Sequence, residues 1–307
     1  MALSPVIDVF VFLFGLIIGS FLNVCILRIP SGKSIVLPAS ACPKCGVPIR
    51  PYDNIPVLSY VFLEGKCRAC KTRISPMYPA VELLTGLLFF ACYSAFGLTM
   101  ETLKWAVFSA LLIVLVFTDL SERILPDVVN YTGFGLALAL SLFMKPIDGT
   151  ANWISNRIFE FPPPAPVLSL VDALIGAAFG SAVLWLFSEG YFLMFKRQGM
   201  GMGDVKMMLM AGAFLGVKRT VLTIFVGSLL GSVLGLIVIG FLYLFGWKSC
   251  VALRAHRRGL GEPWKLRCTL VRRYQFPLGT YLGIAAIVVV FFGTPVVNWY
   301  QSLLMVR

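Results

Sequence analysis

Eight apolar runs leave this chain few ways to fold. They lie at about 5–27, 78–98, 103–119, 128–144, 169–195, 205–217, 220–246 and 276–300. A helix needs ~20 mainly apolar residues to cross a bilayer, and most of these runs supply them. Composition agrees. The chain is 59% hydrophobic and 13% charged, where a soluble domain carries roughly 25% charged residues. The expected fold is an all-α polytopic membrane protein with about eight transmembrane helices. Met1 to Asp8 holds no Lys or Arg, and no small-residue cleavage site follows the first run. The first run therefore reads as a retained helix rather than a signal peptide.

Run 205–217 is the short one, with a rise of only ~20 Å at 1.5 Å per residue. Charge placement decides whether it spans. With eight spans and loop 28–77 in the cytoplasm, the cytoplasmic side holds eight basic residues from Arg28 to Arg73. It also holds Arg123, Lys196, Arg197, Lys206 and eight more from Lys248 to Arg273. The far side keeps Lys104, Lys145, Arg157, Lys218, Arg219 and Arg307. That bias follows the positive-inside rule. Removing the short span would put loop 247–275 outside and destroy the bias. The net charge of +12 therefore points to an anionic membrane face rather than to nucleic acid.

The chain divides into a first helix (1–27), a cysteine-bearing cytoplasmic domain (28–77) and a helical membrane core (78–307). Loop 145–168, with PPPAP at 162–166, reads as a stiff extended linker on the far side. Loop 247–275 reads as a basic segment on the membrane surface; Cys250, His256 and Cys268 within it are too irregularly spaced for a metal site. No internal repeat is visible. A single histidine, His256, leaves little room for His-rich metal catalysis or a Ser-His triad.

Residues 42–45 read CPKC and 67–70 read CRAC. Each C-x-x-C turns two thiolates toward one point, and two such knuckles suit tetrahedral Zn²⁺. A cytoplasmic loop is reducing, which weakens a disulfide reading. Four thiolates at Cys42, Cys45, Cys67 and Cys70 close the coordination sphere, so the zinc is expected to be structural.

Three acidic residues stand at run ends on the cytoplasmic boundary: Asp119 in FTDLSERILPD, Asp127 after Pro126, and Asp204 in GMGDVKMM. Ionisable groups at membrane depth are costly and mark function. Asp127 fits ordinary helix-start chemistry. A plain N-cap at Asp204 needs neither Gly201 nor Gly203, which let another chain approach. A carboxylate at a helix C-terminus, as at Asp119, is electrostatically disfavoured. Two carboxylates from separate helices suit acid–base hydrolysis of a peptide bond without a covalent intermediate. Helix dipoles make Asp204 the expected ionised member and Asp119 the protonated one. Lys206 is read either as support for an ionised Asp204 or as a side chain snorkelling to the headgroups, the second being favoured. A transporter with an acidic proton relay would also use such carboxylates, but it leaves four zinc-spaced cysteines unexplained.

Taken in order, GSFLNVCILRIP (19–30), CPKC and CRAC, YPAVELLTG (78–86), FTDLSERILPD, GMGDVKMM and FPLGTYLG (276–283) resemble the bacterial type IV prepilin leader peptidase/N-methyltransferase family. Met77 departs from the wider pattern, where a basic residue is common before YP. The resemblance implies a membrane aspartic protease of the GxGD type with Asp119 and Asp204 as its catalytic pair. It implies cleavage of the basic leader of prepilins or type II secretion pseudopilins, after a glycine, at the cytoplasmic face of the inner membrane. It also implies methylation of the new N-terminus from S-adenosylmethionine, an activity linked to the four-cysteine loop. No glycine-rich loop marks a site for that donor. Glu82, with Arg68 and Lys71, is the candidate for methyl transfer; Glu82 reads equally as a buried helix acid with a hydrogen-bond partner.

Overall fold

The computed structural model describes residues 5–146, 148–158, 163–197, 199–244 and 277–305. Loop 247–275, with the expectations placed on it, lies outside the described residues. The helices are α1 (Pro5–Arg28), α2 (Leu58–Phe62), α3 (Met77–Phe96), α4 (Met100–Glu122), α5 (Asp127–Ser141), α6 (Thr150–Ile158), α7 (Ala165–Phe195), α8 (Met202–Leu244) and α9 (Leu278–Met305). Among the described residues the only β pairing is two isolated bridges in the cysteine loop.

Among the described residues, six helices are long and apolar enough to cross a membrane: α1, α3, α4, α7, α8 and α9. The described residues of the eight apolar runs fall mainly on helical segments, so the difference in count lies in α5 and α8. Helix α5 has 15 residues, a rise of ~22 Å. Helix α8 is two arms. Gly216 breaks it with φ 74° and ψ −179°, in the half of backbone space that side-chain-bearing residues avoid. A Cβ placed on Gly180 would stand 2.6 Å from the Met208 carbonyl and 3.1 Å from Thr220 Cγ2. A straight helix would hold those two residues ~18 Å apart, so the chain folds back at Gly216. Arm 202–215 holds nearly all of the short run 205–217, and arm 217–244 returns beside it. Asp148 seats its carboxylate in this turn and accepts the Lys218 N–H at 2.7 Å. An acidic group suits the free N–H groups that open the second arm.

Segment 145–168 is not simply an extended linker, because it contains α6. Asp172 on α7 explains the helix's position: its carboxylate accepts the Ala151 N–H at 2.6 Å and the Asp148 N–H at 3.4 Å. Among its described residues, Pro164 keeps the expected extended form (φ −61°, ψ 149°) before α7.

Helix α4 is central, with 67% of its most apolar window buried against 17–44% for the other five spans. Its Phe108 stacks on Phe214 at 4.7 Å between ring centres, inside a core that includes Leu112, Leu115, Met207 and Met210. Helices pack through small residues, as they do in lipid, where close backbone approach replaces a hydrophobic drive. In α1, a Cβ on Gly15 would meet Gly86 Cα at 2.8 Å, and one on Gly19 would meet Glu82 Cα at 2.7 Å. Gly176 of α7 and Gly212 of α8 lie against each other's carbonyl groups, too close for any side chain. The obstacle is backbone, so neither helix can yield by a rotamer change. Gly212→Ala is therefore expected to lower stability by roughly 1–3 kcal/mol, read as a lower melting temperature in detergent. Gly135→Ala, with nothing within 4 Å, is the control and should not lower it.

The bundle has two distinct ends. One gathers the end of α4 and the starts of α5, α8 and α9. The other gathers the start of α4, Asp148 and the Gly216 turn, where Arg219 reaches Thr294 of α9 at 2.6 Å.

Candidate active site and cysteine centre

Asp119 lies in the last turn of α4, and Asp204 is the third residue of α8. They are 6% and 8% exposed, low enough that water cannot screen two ionised groups in contact. Both reach Gly279, in the first turn of α9. A Cβ on Gly279 would stand 3.0 Å from Asp204 Oδ1, 3.2 Å from Asp119 Oδ2 and 2.8 Å from Leu125 Cδ1. Two carboxylates thus converge on one small volume, from helices that the sequence separates widely. One shared proton is the arrangement that avoids placing two like charges in contact.

Helix α9 supplies Asp119 with partners that sequence reasoning missed. Thr280 donates its N–H to Asp119 Oδ2 at 2.7 Å and its hydroxyl to the same oxygen at 2.8 Å. The dipole argument considered only the helix that carries Asp119. The start of a different helix supplies positive potential there instead.

The two glycines before Asp204 differ in use. A Cβ on Gly203 would meet Leu125 at 3.0 Å, whereas one on Gly201 meets the Asp204 carboxylate only at 3.7 Å. Gly203 makes room for Leu125, whereas a side chain at Gly201 would meet Asp204 only at ordinary contact distance. Lys206 turns from the dyad and pairs with Asp127 at 2.7 Å, with the Tyr131 ring 5.7 Å away. It thus neither supports Asp204 nor snorkels freely. It ties the start of α8 to the start of α5.

The cysteine loop does contain a local repeat. Cys42 N–H donates to Val47 O, and Cys67 N–H donates to Thr72 O. Gly46 N–H returns to Cys42 O, and Lys71 N–H returns to Cys67 O. Gly46 and Lys71 both take positive φ, 70° and 57°. The two turns share one backbone, although outside the cysteines their sequences have little in common. The four cysteine sulfurs lie within 4.8 Å of one another, and Cys42 Sγ is 3.8 Å from Cys70 Sγ. Tetrahedral zinc with Zn–S of ~2.3 Å places its sulfurs ~3.8 Å apart. The surroundings favour thiolates at two positions. The N–H groups of Cys45 and Lys44 hold the Cys42 thiol below its ordinary value, and the Thr72 hydroxyl and N–H bring Cys70 down to about 6. Cys45 goes up to about 11: the Val47 N–H favours its thiolate, but desolvation and the three nearby sulfurs outweigh that. Four thiolates this close need a cation between them.

Glu82 accepts the Val57 N–H at 2.7 Å, just before α2, where Val57 has a φ of 60°. Its carboxylate anchors the cysteine loop to α3. Arg68 is held by Asp53 at 2.6 Å, and Lys71 is exposed on the second knuckle.

Residues 13–96 match the bacterial peptidase A24 N-terminal domain, and residues 106–236 match the type IV leader peptidase family. The chain is similar to the prepilin leader peptidase/N-methyltransferase of Myxococcus xanthus, 39% identical over 238 residues, which are 77% of this chain and 64% of that relative. It is also similar to the proteins of that name from Neisseria gonorrhoeae (35% identical, covering 77% of this chain and 84% of the relative) and Pseudomonas aeruginosa (32%, covering 94% and 91%). No solved structure matches. Two family models cover most of the chain, one carrying all four cysteines and the other both aspartates, and with these relatives they show that the chain belongs to the type IV leader peptidase family.

Proposed function

We propose that this protein removes the leader peptide from type IV prepilins or pseudopilins by water-mediated hydrolysis at Asp119 and Asp204, and methylates the new N-terminus. The observation that carries the peptidase half is the meeting of the two buried carboxylates at Gly279. One carboxylate accepts a proton from water while the other, protonated, polarises the peptide carbonyl. The apolar helix of a prepilin would lie in lipid beside the spans, and its scissile bond would reach the dyad end. Basic residues of the 28–77 loop cluster at this end, which supports placing it in the cytoplasm, with the protein in the inner membrane.

Cys42, Cys45, Cys67 and Cys70 would hold Zn²⁺. With four sulfurs the ion supplies folding rather than chemistry. The methylation half rests on the names of the relatives and on S-adenosylmethionine as donor; no residue is assigned to it.

The test uses full-length protein in detergent, a purified prepilin and S-adenosylmethionine. Mass spectrometry is expected to show a shortened pilin carrying one added methyl group. An uncleaved prepilin overturns the peptidase reading, and a cleaved but unmethylated one overturns the second activity.

A further inference from the structure

The segment FPLGTYLG lies outside both stretches that match family models, yet its first helical turn touches both catalytic carboxylates. We infer that this turn is the third part of the catalytic centre: Thr280 holds Asp119 as the ionised, water-activating member, and Gly279 leaves the seat for the water. This inference rests on the dyad reading above.

The hydrogen bonds set the roles. Asp119 Oδ2 receives two donors, the N–H and the hydroxyl of Thr280, at 2.7 and 2.8 Å. The N–H can only donate. An oxygen that accepts two such bonds is best served by a full negative charge. Thr280 is 3% exposed, so water does not compete for these bonds. Asp204 has the Gly201 N–H beside its carboxylate but, among the described residues, no second donor such as the Thr280 hydroxyl gives Asp119. Asp204 is the titratable group facing Asp119 across Gly279, since Lys206 is committed to Asp127. The shared proton accordingly resides on Asp204. This reverses the assignment drawn from each residue's own helix dipole.

The glycine sets the space. The point where a Gly279 Cβ would stand lies 3.0 Å from one carboxylate and 3.2 Å from the other. With only a hydrogen on Gly279, the space beyond that point stays open to a water between the two carboxylates; a methyl group would crowd both oxygens and Leu125, 2.8 Å away, and close that approach.

The reaction then balances. Water oxygen bonds to the peptide carbonyl carbon as one of its protons passes to Asp119. Asp204 gives its proton to the carbonyl oxygen, forming a gem-diol. When the C–N bond breaks, Asp119 returns its proton to the leaving nitrogen, and one hydroxyl proton goes back to Asp204. The products are a carboxylic acid and an amine, and the pair again holds one proton.

Thr280 is thus a positioning residue, and its variants separate charge-holding from packing. Thr280→Val keeps the shape and the N–H but removes the hydroxyl. Its kcat for prepilin cleavage is expected to fall about ten- to a hundredfold with KM within about twofold, the loss expected of one hydrogen bond to a charged group. Thr280→Ser restores that bond and should recover kcat to within about threefold. Gly279→Ala should lower kcat by more than about a hundredfold, with zinc content unchanged. Wild-type kcat in Thr280→Val, or a serine variant as slow as the valine one, overturns the inference. If Asp119→Asn and Asp204→Asn are inactive while Thr280→Val is not impaired, this inference fails alone. If both asparagine variants cut normally, the dyad reading fails with it.

Discussion

Asp119→Asn and Asp204→Asn are each expected to lower the rate of prepilin cleavage by about a hundred- to ten-thousandfold, the range that follows from losing an essential acid or base. Asparagine keeps the shape of aspartate, and its amide oxygen can still accept the Thr280 N–H and hydroxyl that bond Asp119 Oδ2. The fold should therefore survive, and an unchanged melting temperature and zinc content would show that it does. What asparagine cannot do is exchange a proton. The two residues work as one unit, so the double variant should be no slower than the worse single one. Rates from a time course of shortened pilin, with substrate in excess, decide the matter. Wild-type rates in both single variants would remove the dyad from the mechanism. A simple product of the two losses in the double variant would mean that each carboxylate acts alone, against their convergence on Gly279.

The parts of this site that could be read from the sequence are those whose cause is local. An apolar run must become a helix in lipid, and the runs did so. Two C-x-x-C turns must bring thiolates together, and four sulfurs within 4.8 Å are the result. The short run 205–217 also became an arm of its own, and its evidence was indirect, in the charge bias of loops on either side. The local signal was present too, in Gly216, whose positive φ makes the reversal. What stayed hidden depends on contacts between distant segments. Thr280 stands 161 positions from the aspartate that it bonds. Nothing in the helix carrying Asp119 announces that another helix begins beside its carboxylate. Gly203 could not be assigned to Leu125, nor Lys206 to Asp127, for the same reason. Glu82 was legible as a costly buried acid, but its partner, the Val57 N–H, belongs to a loop turn 25 positions away.

Removing one zinc ligand, as in Cys42→Ser or Cys70→Ser, is expected to empty the metal site and unfold the 28–77 loop while leaving the helices assembled. The loop has little else to hold it. Its large apolar side chains are mostly exposed, including Val36, Leu37, Leu58, Val61 and Phe62, so burial contributes little. Its other side-chain ties are mostly exposed or half-exposed, among them the Arg68–Asp53 and Lys66–Glu64 pairs, the Tyr60 hydroxyl on the Ile74 carbonyl, the Ser59 hydroxyl on the Tyr52 carbonyl and the Val57 N–H on Glu82. A structural zinc, by contrast, contributes on the order of 10 kcal/mol in small domains. Losing one thiolate also leaves three crowded sulfurs without the charge that balances them. The measurements are zinc per chain by elemental analysis, and limited proteolysis in detergent. Zinc should fall from one per chain to near none, and cleavage by protease should move into the loop while the spans stay protected. Unchanged zinc content in both variants would rule out the four-cysteine site. The dyad is carried by α4 and α8 and braced by α9, and none of these supplies a zinc ligand. Leader cleavage should therefore fall far less in the cysteine variants than in the aspartate variants, and that difference separates a metal that folds the loop from one that takes part in the reaction.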